Sequence, residues 1–251
     1  MNKLILATGS DDSYLFKMDP YLRTIESNSN FDENILIYLG DKKLHSFIGN
    51  IRILTINPSK IVSPNENNCI QHGEFIKSDG FDDLVNDEDV IFFTDGDMFL
   101  QRNLTEDEIN YFKSFKDDDV YVGYNASIYD TLKNEYYRLL PTNILPNIFN
   151  IDMSKYKIYN TGVLAMNKKT WTKLCNYYNK YYSEINVMFT HYAKQQWLIS
   201  FIIGTMDFNI IEMGYDLHNH THYPSPVGTT IDDDGVVKFE NKIVLFKHRW
   251  I

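Results

Sequence analysis

Cysteine is scarce in this chain. Its two cysteines, Cys69 and Cys175, lie far apart, which excludes both a disulfide framework and a cysteine-based zinc pattern. Both read as reduced thiols of a reducing compartment, so the expected location is the cytoplasm. Long apolar runs are missing too. The nearest candidate, WLISFIIG at 197–204, falls well short of the roughly 18 residues of a membrane span and reads as a buried helix. The start, MNKLILATGSDD, carries only a short apolar run, too short for a signal-peptide core. The three sequons, at Asn103, Asn125 and Asn219, are therefore expected to carry no glycan. Positive charge is in deficit: 24 Lys and Arg face 34 Asp and Glu, a net charge of −10. A nucleic-acid partner is disfavoured, because its phosphates need a basic surface. Internal repeats and low-complexity linkers are also absent.

The chain does have core-forming residues. Hydrophobic residues make up 43% of it, with 18 Tyr and 16 Phe, enough for a sizeable core in one domain or two tightly fused halves. KLILAT (3–8) reads as a buried strand running into a loop, GSDDSY (9–14). The stretch from Ser13 to Asn28 is helix-like, with Leu15, Met18, Leu22 and Ile25 near a 3.6 period and Pro20 interrupting it. NILIYLG (34–40) and IRILTIN (51–57) are further strands. The alternation points to an α/β protein with a parallel sheet. Residues 58–80 look irregular, and DLVNDED (83–89) reads as a short polar helix. Downstream, 105–115 reads as a helix capped by Thr105 and Glu108. VYVGYNAS (120–127) and 158–167 are strands, the latter with Gly162 inside it, a mark of a bulge or close backbone approach. Two helices, 169–185 and 191–203, precede a tail of short strands in FNIIEMG, VVKFEN and KIVLFKHRWI.

One stretch carries chemistry. In VIFFTDGDMFL (90–100), four apolar residues lead through Thr94 into Asp95, Gly96 and Asp97. An apolar run that stops at a polar turn reads as a buried strand ending at the ligand-binding edge of an open α/β sheet. Two carboxylates flanking a glycine suit a hard divalent cation, Mg²⁺ or Mn²⁺, which also binds phosphates. The bland alternative is a polar turn after a strand, since Asp and Gly are common in turns.

Four segments in order resemble the GT-A glycosyltransferases, and family 8 (glycogenin-like) among them. Asp95-Gly96-Asp97 is similar to their DxD motif, which follows about a hundred residues of nucleotide-binding structure. Thr8, Asp12 and Tyr14 in LATGSDDSY resemble the first-strand loop that holds uridine, with Tyr14 against the base; this loop is one residue longer, so Asp11 is the alternative to Asp12. YNTGVLAMNKKTW (159–171) is similar to the segment lining the sugar and acceptor, here Asn160, Thr161 and Gly162. LFKHRWI (245–251) resembles the terminal segment whose histidine, here His248, completes the metal site. The chain departs from the family in having Gln195-Gln196 in place of an Asp-Gln pair, and a shortened ending, His248-Arg249-Trp250.

The resemblance implies one GT-A domain over 1–251, with 1–100 binding the nucleotide sugar and 101–251 the acceptor. It implies a metal-dependent transfer of a hexose from a nucleotide sugar, UDP-linked, with retention. Asp97 and His248 would ligate Mn²⁺ (or Mg²⁺), with Asp95 on ribose or metal. Lys247 or Arg249 would add charge near the diphosphate, with exposed basic residues as the default alternative. Gln195 and Gln196 would lie on the sugar side, with Gln196 among the catalytic residues beside Asp95 and Asp97. An inverting enzyme would need a carboxylate beside the acceptor hydroxyl, and Asp216 and Asp152 are the loose candidates. The acceptor is open: a glycan, a protein or a small molecule.

Other features have plainer readings. His218, His220 and His222 alternate and would share one face of a strand, reading as a substrate-lining loop more readily than as a zinc site. Tyr177, Tyr178, Tyr181 and Tyr182 read as a core stripe, and 117–119 and 232–234 as solvated turns. Two other function classes compete: a haloacid-dehalogenase-like phosphatase with Asp95 as nucleophile, and a non-catalytic nucleotide- or carbohydrate-binding module.

Overall fold

A computed structural model of the chain describes residues 2–12, 14–40, 43–45, 47–55, 84–123, 131–132, 134, 151–188, 194–220 and 226–248. Its first strand, β1 (Leu4–Asp11), is buried at every position but the last. Uninterrupted burial marks a strand covered on both faces, as in the middle of an α/β sheet. β1 pairs in parallel with β2 (Glu33–Leu39) on one side and β5 (Val90–Thr94) on the other, and β2 pairs in parallel with β4 (Ile51–Thr55). β3 (Phe47–Ile48) closes that side antiparallel to β4.

The sheet is mixed rather than parallel throughout. β8 (Asn160–Asn167) runs antiparallel between β5 and β7 (Asp119–Gly123), and β9 (Asn209–Met213) adds parallel to β7. The eight strands take the order β3-β4-β2-β1-β5-β8-β7-β9. The chain therefore builds outward from β1 through β2 and β4, then returns to the opposite side of β1 as β5. That reversal is a topological switch point, and the crevice beyond the carboxyl ends of its strands is where ligands bind in such sheets. Thr8 of β1 and Thr94 of β5 are register partners at that edge.

Helices cover both faces. α1 (Asp19–Asn28) follows a 3-10 turn, Leu15–Met18, and Pro20 sits in its first turn. Pro20 thus opens the helix instead of interrupting it, because a first-turn residue needs no backbone donor. α2 (Glu106–Lys113) begins with the expected capping box between Thr105 and Glu108. α3 (Lys168–Met188) and α4 (Lys194–Thr205) pack on each other on the other face. In α4, Trp197, Leu198, Ile199, Phe201, Ile202 and Ile203 are all buried, and Trp197 stacks on Phe201 at 5.5 Å. No helix among the described residues is long and apolar enough to cross a membrane.

Further elements differ from expectation. β1 continues to Asp11, so the loop starts later than residue 9. Residues 84–89 form turns, not a helix; Asp89 accepts hydrogen bonds from the backbone N–H of Lys3 (2.7 Å) and of Asn86 (2.9 Å), which ties the segment to the start of β1. The tail splits into more pieces than expected. β6 (Met98–Leu100), β10 (His218–His220) and β14 (Phe246–His248) form one three-stranded sheet, and β11 (Thr229–Ile231), β12 (Val237–Phe239) and β13 (Lys242–Ile243) another. The tyrosine stripe belongs to the core side of α3, with Tyr178 buried and Tyr181 against Phe201; the Tyr182 side chain lies outside the described residues. Cys175 is buried, and Cys69, Asn125 and His222 lie outside the described residues.

Candidate functional site

The site begins where β5 ends. Thr8 Oγ1 donates to the Thr94 carbonyl at 2.9 Å, and the Thr94 hydroxyl shares a 2.6 Å hydrogen bond with buried Tyr21. Asp95 N donates to the Gly162 carbonyl at 2.9 Å. These bonds lock the last residue of β5 to β1, α1 and β8, so the turn that follows has a defined origin. At Gly96 an added Cβ would meet Met18 Sδ and Tyr14 Cε1, each at 2.9 Å. The turn therefore passes flush against the Tyr14 ring, which is why a side chain is excluded there.

The second half of the site comes from the far end of the chain. β6, directly after Asp97, pairs antiparallel with β14, and the register sets His248 opposite Met98. That pairing places His248 Nε2 3.2 Å from Asp97 Oδ1. One ligand atom from each of Asp95, Asp97 and His248 lies within 4.8 Å of the other two. Burial, then the Asp97 charge, push the Asp95 carboxyl up to about 7, against the opposing pull of His248. For His248, burial pulls the pKa down, but the hydrogen bond and charge of Asp97 and the charge of Asp95 outweigh it and the net direction is up. Crowded in this buried site, the Asp95 carboxyl and the His248 imidazole hold their protons more tightly than usual. A divalent cation would take the place of those protons. The donor set of two carboxylates and one imidazole fits such an ion, and Mn²⁺ tolerates the mixed oxygen and nitrogen shell.

No protein-family model matches the chain, and no curated protein matches it. Solved structures do. A galactosyltransferase, LgtC, in complex with donor and acceptor sugar analogs aligns over 97% of this chain and 86% of its own, at TM-score 0.58 and 14% identity. An active-site mutant of LgtC aligns over the same shares at TM-score 0.54 and 14% identity. The chain has the GT-A fold. The Asp95-Gly96-Asp97 turn lies at the carboxyl end of β5, at the switch point of the sheet.

The other expected residues fall into three groups. Those at the carboxyl end of β1 are near the Asp95-Gly96-Asp97 turn. Asp11 Oδ1 accepts from Tyr14 N at 2.8 Å, which folds the loop and turns the Tyr14 ring towards Gly96. Asp12 accepts a hydrogen bond from the buried Tyr38 hydroxyl of β2. Thr8 lies in the same edge, but its hydroxyl is buried and committed to Thr94. On β8, Asn160 Oδ1 accepts from Gly162 N at 2.8 Å, Thr161 is buried, and Gly162 lies against Asp95 and His248.

In the second group, Lys247 and Asp152 have partners away from the cluster. Lys247 alternates with His248 along β14, so it faces the other side; its ammonium donates to the Gly235 carbonyl at 2.8 Å and sits over Phe99. Asp152 is exposed, bonds Ser154 and pairs with Lys155, and these contacts lower its pKa. Gln196 is half-buried near the start of α4. The third group, Arg249, Trp250 and the Gln195 side chain, lies outside the described residues.

His218 is the residue whose position was hardest to foresee. β10 pairs in parallel with β14, His218 opposite Phe246, and the His218 ring lies 6.1 Å from that of His248. It is buried and fills the room left by Gly123, where a Cβ would meet His218 Nδ1 at 2.6 Å. His218 lies outside the three-ligand group, while the His220 side chain and His222 lie outside the described residues. The repeat itself was the available signal; the pairing with β14 was not.

Proposed function

We propose that this chain is a metal-dependent glycosyltransferase that moves a hexose from a nucleotide sugar, UDP-linked, to an acceptor with retention at the anomeric carbon. The observation that carries the proposal is the meeting of Asp95, Asp97 and His248 at the switch point of a GT-A sheet. A divalent cation bound by these residues would act as a Lewis acid on the departing diphosphate. Asp97 and His248 hold it directly, and Asp95 serves as a third ligand or meets the ribose. The Asp11–Tyr14 loop receives the base and ribose, because it ends the strand beside the DxD strand. Asn160, Thr161 and Gly162 face the sugar and acceptor, and the family resemblance assigns Gln196 to the same side. The tie of Asp152 to Ser154 and Lys155 argues against it as a general base, and in the retaining reading the leaving phosphate takes the acceptor proton. The structural likeness to a galactosyltransferase seen with donor and acceptor analogs supports a sugar donor and a separate acceptor here.

Calorimetry of the protein with UDP, first with Mn²⁺ and then with EDTA, tests this. Metal-dependent binding that Asp97→Asn abolishes is the expected result. Failure of every nucleoside diphosphate on folded protein would overturn the nucleotide-sugar reading. NMR of the product settles stereochemistry, and an inverted anomer would refute retention.

A further inference from the structure

Gly162 is glycine for reasons of space, not backbone shape. It is not among the positive-φ glycines, so its backbone conformation does not call for one. A Cβ built on it would lie 3.1 Å from Asp95 Oδ2, 3.3 Å from His248 Cε1 and 3.0 Å from Asn160 Oδ1. Those separations are tighter than the roughly 3.5–4.0 Å of a relaxed carbon contact. The backbone has no slack to relieve them. Gly162 N–H donates to Asn160 Oδ1 and its carbonyl accepts from Asp95 N, at 2.8 and 2.9 Å. A methyl group at this point would press on the carboxylate and the imidazole themselves.

We propose that Gly162 holds open a coordination position of the cation site, between Asp95 and His248, for an oxygen that the protein does not supply. A six-coordinate ion held by three protein atoms keeps about three places for outside oxygens. The backbone of Gly162 does not supply one: its carbonyl is turned to Asp95 N and its N–H is a donor. Water takes the place in the free protein and a phosphate oxygen in the donor complex; that last assignment rests on the nucleotide-sugar reading above. Gly162 is in this sense a specificity-determining residue for what shares the ion, not a ligand.

The test uses Mn²⁺ as probe, with binding to the whole chain followed by electron paramagnetic resonance in the absence of nucleotide. Gly162→Ala is expected to weaken Mn²⁺ by about tenfold or more at a temperature where melting in EDTA shows the variant still folded. Ca²⁺, which takes six to eight oxygens, should lose more than Mn²⁺ in competition, a ranking that general destabilisation would not produce. A second measurement needs no variant: water-proton relaxation on wild-type protein should count about three waters on bound Mn²⁺, falling when UDP is added. Unchanged Mn²⁺ affinity in Gly162→Ala, or a wild-type ion with one water or none, overturns the proposal and leaves the transferase reading standing. Wild-type protein that binds UDP equally well in EDTA and takes up no Mn²⁺ overturns the metal reading and this proposal together.

Discussion

The charge crowding at Asp95 has a consequence for stability that can be measured without any substrate. In the folded protein the Asp95 carboxyl titrates at about 7 against an ordinary 3.8, because of burial and the neighbouring Asp97. The folded state therefore holds a proton that the unfolded state has released throughout the intervening range. A carboxyl raised in this way stabilises the fold on the acid side, and the contribution is lost as pH rises through that range. At about 1.36 kcal/mol per unit, three units give at most about 4 kcal/mol. His248 adds the same sign: its raised pKa favours the fold fully below about 6.5, and that contribution is lost as pH rises through the folded value. For a chain of this length, about 2–4 °C accompanies each kcal/mol. In EDTA, the melting temperature should therefore fall by roughly 5–15 °C between pH 5 and pH 8. Saturating Mn²⁺ should reverse the fall, since the ion binds the deprotonated ligands and only the folded state presents them together. Asp97→Asn removes the second cause at Asp95 and the partner that raises His248. Its fall should be smaller, though not absent, because burial remains, and Mn²⁺ should no longer rescue it. Melting curves of both proteins at matched pH isolate the cluster, since every other titrating group is common to them. A wild-type curve that is flat from pH 5 to 8 in EDTA, or one that Asp97→Asn leaves unaltered, would refute the reasoning.

Three further expectations address neighbouring parts of the molecule. Tyr14→Ala should weaken UDP by about 5- to 100-fold, the range of one base–aromatic stack, while Mn²⁺ binding alone changes little; calorimetry with each ligand separates the two. Arg102→Ala removes a bidentate contact to Glu108, 2.8 Å on each arm, which also supports the capping box of α2; a loss of about 1–2 kcal/mol is expected in urea denaturation, with Mn²⁺ affinity intact. Trp197→Ala empties a fully buried position stacked on Phe201 and bonded to the Leu132 carbonyl, and should cost about 3–5 kcal/mol in the same assay.

The separation between what was legible and what was not follows the range of the interactions. The apolar run ending at Asp95 was readable because a strand covered on both faces has no need of polar residues until it reaches the edge. Thr105 and Glu108 were readable because a capping box is local. Pro20 was misplaced by its neighbours: the periodicity runs through it from residue 15, yet the chain makes a 3-10 turn first and then starts a helix at which proline is welcome. The helix expected at 83–89 gave way, over the described residues 84–89, to turns tied by Asp89 to Lys3, a partner 86 residues away. Lys247 and His248 are adjacent in sequence and were both expected at the site, as a charge near the diphosphate and as a metal ligand, and only the pleat of β14 assigns one to Gly235 and the other to the cluster.

The sequence by itself determined the α/β class, the strand that delivers Asp95-Gly96-Asp97, and the glycine at 162, because these depend on periodicity, edge chemistry and local turns. The tertiary structure alone decided that β8 runs antiparallel and presses Gly162 against Asp95, that His218 stands behind His248, and that the last strand returns to pair with β6. Each of those outcomes is a strand register between segments far apart in the chain. Register is set by the joint burial of both partners, which no single stretch of residues encodes.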